Sequence, residues 1–105
     1  MNFFEAQDSV RKFIEDKNIN SSVGVRIIDL ASEVGELSKE FLKGADYGKK
    51  EFEKTEEWDL EIGDVLFSLI CIANQTQTDL ESCLKHILEK YEKRFYEKGD
   101  LSLGN

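Results

Sequence analysis

Ile62-Gly63-Asp64-Val65-Leu66-Phe67-Ser68-Leu69-Ile70-Cys71-Ile72-Ala73 is the stretch on which the fold turns. Projected at about 100° per residue it is apolar nearly all round, and a helix of that kind needs neighbours on most of its sides. Its polar exceptions are not scattered. Glu57, Glu61, Asp64, Ser68 and Gln75 fall in one narrow sector, so Glu61 and Asp64 occupy one edge of what is expected to be the most buried helix.

Working outward, the spacing predicts three more helices. This central one begins between Glu51 and Glu56 and runs to about Gln75. Upstream, Val23 to Leu42 carries Ile27, Leu30, Val34, Leu37 and Phe41 at helical spacing; Ser21 or Ser22 is placed to cap it and Gly44 to stop it. A first helix runs from about Phe4 to Lys17, with Phe4, Val10, Phe13 and Ile14 as its stripe, and Asn18 to Ser22 reads as a turn. The fourth opens with Thr78-Asp79-Leu80-Glu81, a capping-box pattern in which Thr78 and Glu81 are expected to serve each other's backbone donors. It carries Leu80, Leu84, Ile87, Leu88, Tyr91 and Phe95 on one face, ends before Gly99, and leaves Leu101 to Asn105 as a loose tail. The chain has no proline and 7 glycines, so little forces a helix to break. The expectation is a single all-α domain over residues 1–105, bundle-like with four helices. At this size, association with further copies is expected to complete the core.

Charge narrows the function. The chain carries 22 acidic and 14 basic residues, a formal net charge of −8, which argues against a nucleic-acid-binding face or an anionic membrane partner. No segment approaches the roughly 20 apolar residues that span a bilayer, and the first residues lack the basic start of a signal peptide. Cys71 and Cys83 make no metal-ligand pair and sit in apolar periodic segments. They are expected to be buried, reduced thiols of a cytoplasmic protein.

The second helix has an acidic stripe of its own. Glu33, Glu36 and Glu40 fall within roughly 60° of one another, joined by Asp29, and the stripe borders the apolar row instead of opposing it. Acid pairs at this spacing are common in so acidic a chain; Glu5/Asp8, Glu53/Glu56 and Glu89/Glu92 read as solvated faces. Glu33/Glu36 and Glu61/Asp64 differ because both adjoin apolar stripes, and two antiparallel helices could bring them face to face. Packed carboxylates repel unless a cation lies between them. Oxygen-only ligation favours Mg²⁺ or Mn²⁺ over zinc. The one histidine, His86, is not part of a Glu-x-x-His element, and there is no glycine-rich phosphate loop or nucleophile–histidine set. What remains is Mg²⁺-assisted hydrolysis of a phosphate ester or anhydride.

Glu33-Val34-Gly35-Glu36-Leu37 followed by Glu61-Ile62-Gly63-Asp64-Val65-Leu66 resembles the ExxE–spacer–ExxD signature of the MazG-like all-α nucleoside triphosphate pyrophosphohydrolases. The 24 residues between Glu36 and Glu61 suit that signature, and Lys90-Tyr91-Glu92-Lys93-Arg94-Phe95 resembles the family's ending. The resemblance implies Mg²⁺-dependent hydrolysis of a nucleoside triphosphate to monophosphate and pyrophosphate. Glu33, Glu36, Glu61 and Asp64 would be the metal ligands and catalytic residues, one glutamate, directly or through a neighbour such as Glu40, orienting or deprotonating the attacking water. Lys90 and Arg94 match positions expected to bind the substrate's phosphates, and related members are dimers or tetramers made of dimers. Asn20 to Leu30 lacks the Trp and His residues of the dCTP-hydrolysing branch. Trp58, Phe41 and Tyr47 are candidates for a base-stacking wall or for packing. A phosphoribosyl-ATP-type substrate and a non-catalytic helical interaction module stay open as alternatives.

Overall fold

A computed structural model describes residues 1–98, and among them there are four α-helices and no strand. Helix α1 spans Phe3–Lys17, α2 Val23–Gly44, α3 Trp58–Gln75 and α4 Leu80–Lys98. The all-α expectation holds. The tail from Leu101 to Asn105 lies outside the described residues.

Local chemistry explains the boundaries. Asn2 caps α1 through a reciprocal box: its side chain accepts from Glu5 N at 2.8 Å and its own N–H donates to the Glu5 carboxylate at 3.1 Å. The helix ends at Asn18, which takes the left-handed conformation (φ 53°) that asparagine tolerates well. Ser22 caps α2, accepting from Val25 N at 3.2 Å. Helix α3 starts at Trp58, later than the sequence pattern predicts. Residues 45–57 instead form a single 3₁₀ turn, at Asp46–Gly48, followed by irregular chain. Asp46, Tyr47 and Gly48 there have positive φ (46°, 57° and 92°), a run that an α-helix excludes. At α4 the expected Thr78–Glu81 box does not form. Asp79 is the cap, accepting from Glu81 N at 3.0 Å and from Ser82 Oγ at 3.2 Å, while the Thr78 hydroxyl pairs with that of Thr76.

Gly44 has a different purpose from the one its position suggests. It is the last residue of α2, not a left-handed stop, and a Cβ there would come within 2.5 Å of the Glu53 carbonyl oxygen and 2.7 Å of the Phe52 ring. The missing side chain lets the connection lie against the helix, where Glu53 N donates to Gly44 O at 3.1 Å.

Helix α3 packs chiefly on α2 and also on α1. Gln75 donates to Ser21 O near the start of α2, and Thr55 bonds Glu40 near its end. The contacts thus run in opposite chain directions, and α2 and α3 are antiparallel. Against α1, the Phe13 and Phe67 rings meet edge-on at 6.1 Å. The Gln7 amide donates to Asn74 Oδ1 (3.0 Å) and Thr78 O (2.9 Å) and accepts from Leu80 N (3.0 Å). This clamp ties α1 to the α3–α4 turn, and α4 packs chiefly on α1.

The core of one chain is small. Among the described residues Ala45, Ile70, Cys71 and Ala73 are its buried hydrophobic members. Ile62, Leu66 and Leu69 of α3 remain exposed, as do Ile28 and Phe41 of α2 and Leu84 and Leu88 of α4. The predicted enclosure of α3 is therefore supplied by α1 and α2 on one side only. The radius of gyration, 16.8 Å, exceeds the roughly 13 Å of a compact chain near this length. Cys71 is buried as expected, with its thiol pKa pushed up by burial. Cys83 is exposed, because α4 lies open on the side that carries it.

Candidate metal centre

Antiparallel pairing of α2 and α3 sets the acidic edge of one helix against that of the other. One carboxylate oxygen from each of Glu33, Glu61 and Asp64 lies within 4.8 Å of the others. Glu33 and Glu61 are half-buried and Asp64 is exposed, so the group opens to solvent on one side. Glu36 lies outside this trio and is exposed, with Lys39 Nζ 3.9 Å from its carboxylate. Its charge nevertheless reaches Glu61.

Electrostatics mark Glu61 as the strained member. Its pKa is raised, first by loss of solvation and then by the charges of Asp64, Glu36, Glu33 and Glu40. Each of these influences disfavours the ionised form. An arrangement that holds like charges together at some cost is what a hard divalent cation relieves. The donor set, three carboxylates with open solvent on one side, suits Mg²⁺ or Mn²⁺ and leaves room for water and phosphate oxygens.

Glu40 sits apart from this trio. Its side chain is buried, one oxygen accepting from the Thr55 hydroxyl and the other 3.6 Å from Lys43 Nζ. Thr55 had no distinguishing signal in the sequence, since it lies in a polar connection with no periodicity. Phe41 and Trp58 do not stand free as a stacking wall. They flank Phe52, with ring centroids 5.2 and 4.8 Å from it, whereas Tyr47 is exposed. Lys90 is exposed and Arg94 half-buried on α4, and His86 is exposed on the same helix.

Comparison with known proteins gives the chain a family. Residues 26–97 match the MazG nucleotide pyrophosphohydrolase domain, and the chain belongs to that family. It is similar to the uncharacterized protein YpjD of Bacillus subtilis (strain 168), 38% identical over 68 residues, 62% of this chain. The match spans 60% of that relative's length. Two solved structures share the fold, each with a TM-score of 0.73. A Bacillus-conserved MazG protein, described as a nucleotide pyrophosphohydrolase, is 29% identical, the match covering 87% of this chain and 89% of that one. The crystallised YpjD of Bacillus subtilis is 30% identical, with 87% and 95% covered. Among the described residues no helix is long and apolar enough to cross a membrane.

Proposed function

We propose that residues 1–105 form one domain that hydrolyses a nucleoside triphosphate to the monophosphate and pyrophosphate with the help of Mg²⁺, Mn²⁺ being a possible substitute. The observation that carries this reading is the convergence of Glu33, Glu61 and Asp64 from two antiparallel helices in a chain of the MazG family. Three carboxylates alone would repel an anionic triphosphate, so a cation must stand between them and it.

In this reading Glu33, Glu36, Glu61 and Asp64 hold the ion, with Glu36 turning inward from its exposed position beside Lys39. When bound, the ion neutralises phosphate charge and lowers the pKa of a water. One of these glutamates orients the attacking water or accepts its proton. Lys90 and Arg94, one turn apart on α4, are proposed to bind the phosphate chain. The exposed apolar residues of α2, α3 and α4 favour a homodimer or homotetramer, which light scattering on the purified protein would measure directly.

The deciding experiment incubates the protein with a panel of nucleotides and Mg²⁺ and identifies both products. Pyrophosphate with a monophosphate, lost on Glu61→Gln and on chelation, supports the proposal. Release of a different leaving group points to another phosphoanhydride. Turnover of no nucleotide or phosphoribosyl-nucleotide leaves the helical interaction module.

A further inference from the structure

Glu40 is the one charged side chain that is buried among the described residues, at 6% exposure. A carboxylate taken out of water is costly unless it is hydrogen-bonded or paired, and this one has both kinds of partner. The Thr55 hydroxyl donates to Oε1 and Lys43 Nζ lies 3.6 Å from Oε2. With both oxygens engaged, Glu40 is poorly placed to be a ligand, although it continues the stripe of Glu33 and Glu36 and its charge is felt at Glu61.

Its partner explains its position. Thr55 lies in the connection just ahead of α3, and Thr55 O accepts from Trp58 N, the first residue of that helix, at 3.3 Å. Trp58 N–H is one of the donors that a helix start leaves without an intrahelical partner, and the helix has no side-chain cap of its own. The Glu40–Thr55 bond therefore holds the entry to α3 against α2, one turn ahead of Glu61. The Glu53–Gly44 backbone bond and the Phe41–Phe52–Trp58 aromatic cluster fasten the same connection at two further points.

We propose that Glu40 and Thr55 are a positioning pair: their hydrogen bond sets the register of the first turn of α3 against α2, and so brings Glu61 and Asp64 to Glu33 for divalent-cation binding. Neither residue touches the ion. This inference rests on the reading of the carboxylate trio as a cation site.

The test is Mn²⁺ titration, followed by electron paramagnetic resonance, of wild type and of Thr55→Val, Thr55→Ser, Glu40→Ala and Glu40→Gln, with circular dichroism and unfolding temperature on each. Loss of a group bonded directly to a metal ligand weakens binding by about 10- to 100-fold; T55V and E40A act one step further out and should weaken it about tenfold, with T55S and E40Q, which keep a donor–acceptor pair, within about threefold of wild type. The double variant E40A/T55V should bind no more weakly than the weaker single variant, because one bond is removed in each case. A bond that only stabilised the fold would lower the unfolding temperature and leave affinity unchanged. If E40A does not fold, T55V against T55S decides. E40Q binding as weakly as E40A, or T55V binding like wild type, overturns the pair. Absence of Mn²⁺ binding by wild type overturns the reading of the trio itself, and the pair with it.

Discussion

Substituting alanine for Gly44 tests the packing that positions the site. Two physical effects oppose each other. Alanine is the better helix former, by about 1 kcal/mol in a helix interior and by less at this terminal position. Against that, the new methyl would meet the Glu53 carbonyl oxygen at 2.5 Å and two atoms of the Phe52 ring at 2.7 and 2.8 Å. The ring is itself held between Phe41 and Trp58, and the carbonyl belongs to backbone bonded to Gly44, so neither can yield cheaply. Forced overpacking of this kind costs about 1–3 kcal/mol, so the clash outweighs the propensity gain. For a chain of this length a net loss of 1–2 kcal/mol lowers the unfolding temperature by roughly 4 to 16 °C. The control is Gly35→Ala, also in α2, where an added Cβ meets nothing within 4 Å. There the propensity term acts alone and the variant should be more stable by about 1 kcal/mol. Thermal melts at one fixed protein concentration, which holds any association constant, measure both. G44A melting at or above wild type, or G35A melting as low as G44A, refutes the argument. Displacing the connection should also carry Glu61 away from Glu33 and weaken Mn²⁺ binding.

Glu61→Gln should abolish tight Mn²⁺ binding while raising the unfolding temperature of the metal-free protein, because the charge removed is poorly solvated and surrounded by like charges; calorimetric titration and a melt in chelator read the two effects. The pH dependence has two opposite signs. Since the folded-state pKa of Glu61 is raised, its protonation favours the metal-free fold, an advantage present below the ordinary carboxylate value of 4.5 and lost as pH rises through the elevated folded value. Cation binding needs the ionised form, so affinity should fall as pH drops towards that same value, with proton release on binding near it. Equal affinity on both sides of the Glu61 titration, followed by NMR of its side chain, contradicts this. Asp79→Ala should cost about 1 kcal/mol through the lost α4 cap, and Thr78→Val much less, a difference that urea unfolding resolves.

Much of this molecule is legible in one dimension. Helical periodicity located all four helices, Ser22 was readable as a cap, and the acidic stripes on α2 and α3 stood out because they border apolar rows. The cap at Asn2 was not read, although Asn2-x-x-Glu5 carries the pattern, and the pattern with Thr78 was misleading: Thr78, Asp79 and Glu81 offer two competing caps, and the chain path through Gln77 (φ 49°) selects Asp79. The late start of α3 was hidden because Glu51 to Glu57 contains good helix formers. Bonds to α2 at Glu40 and Gly44 outweigh that preference and hold the segment as irregular chain.

Residue identity and spacing thus determined that the chain is helical, where its carboxylates lie on each helix, and which cation chemistry they suit. These are consequences of a fixed angle per residue along one helix. Which carboxylates actually meet depends on how two helices are set against each other, a matter of packing between residues far apart in the chain. That is why Glu33, Glu61 and Asp64 converge, Glu36 stands aside and Glu40 turns to Thr55.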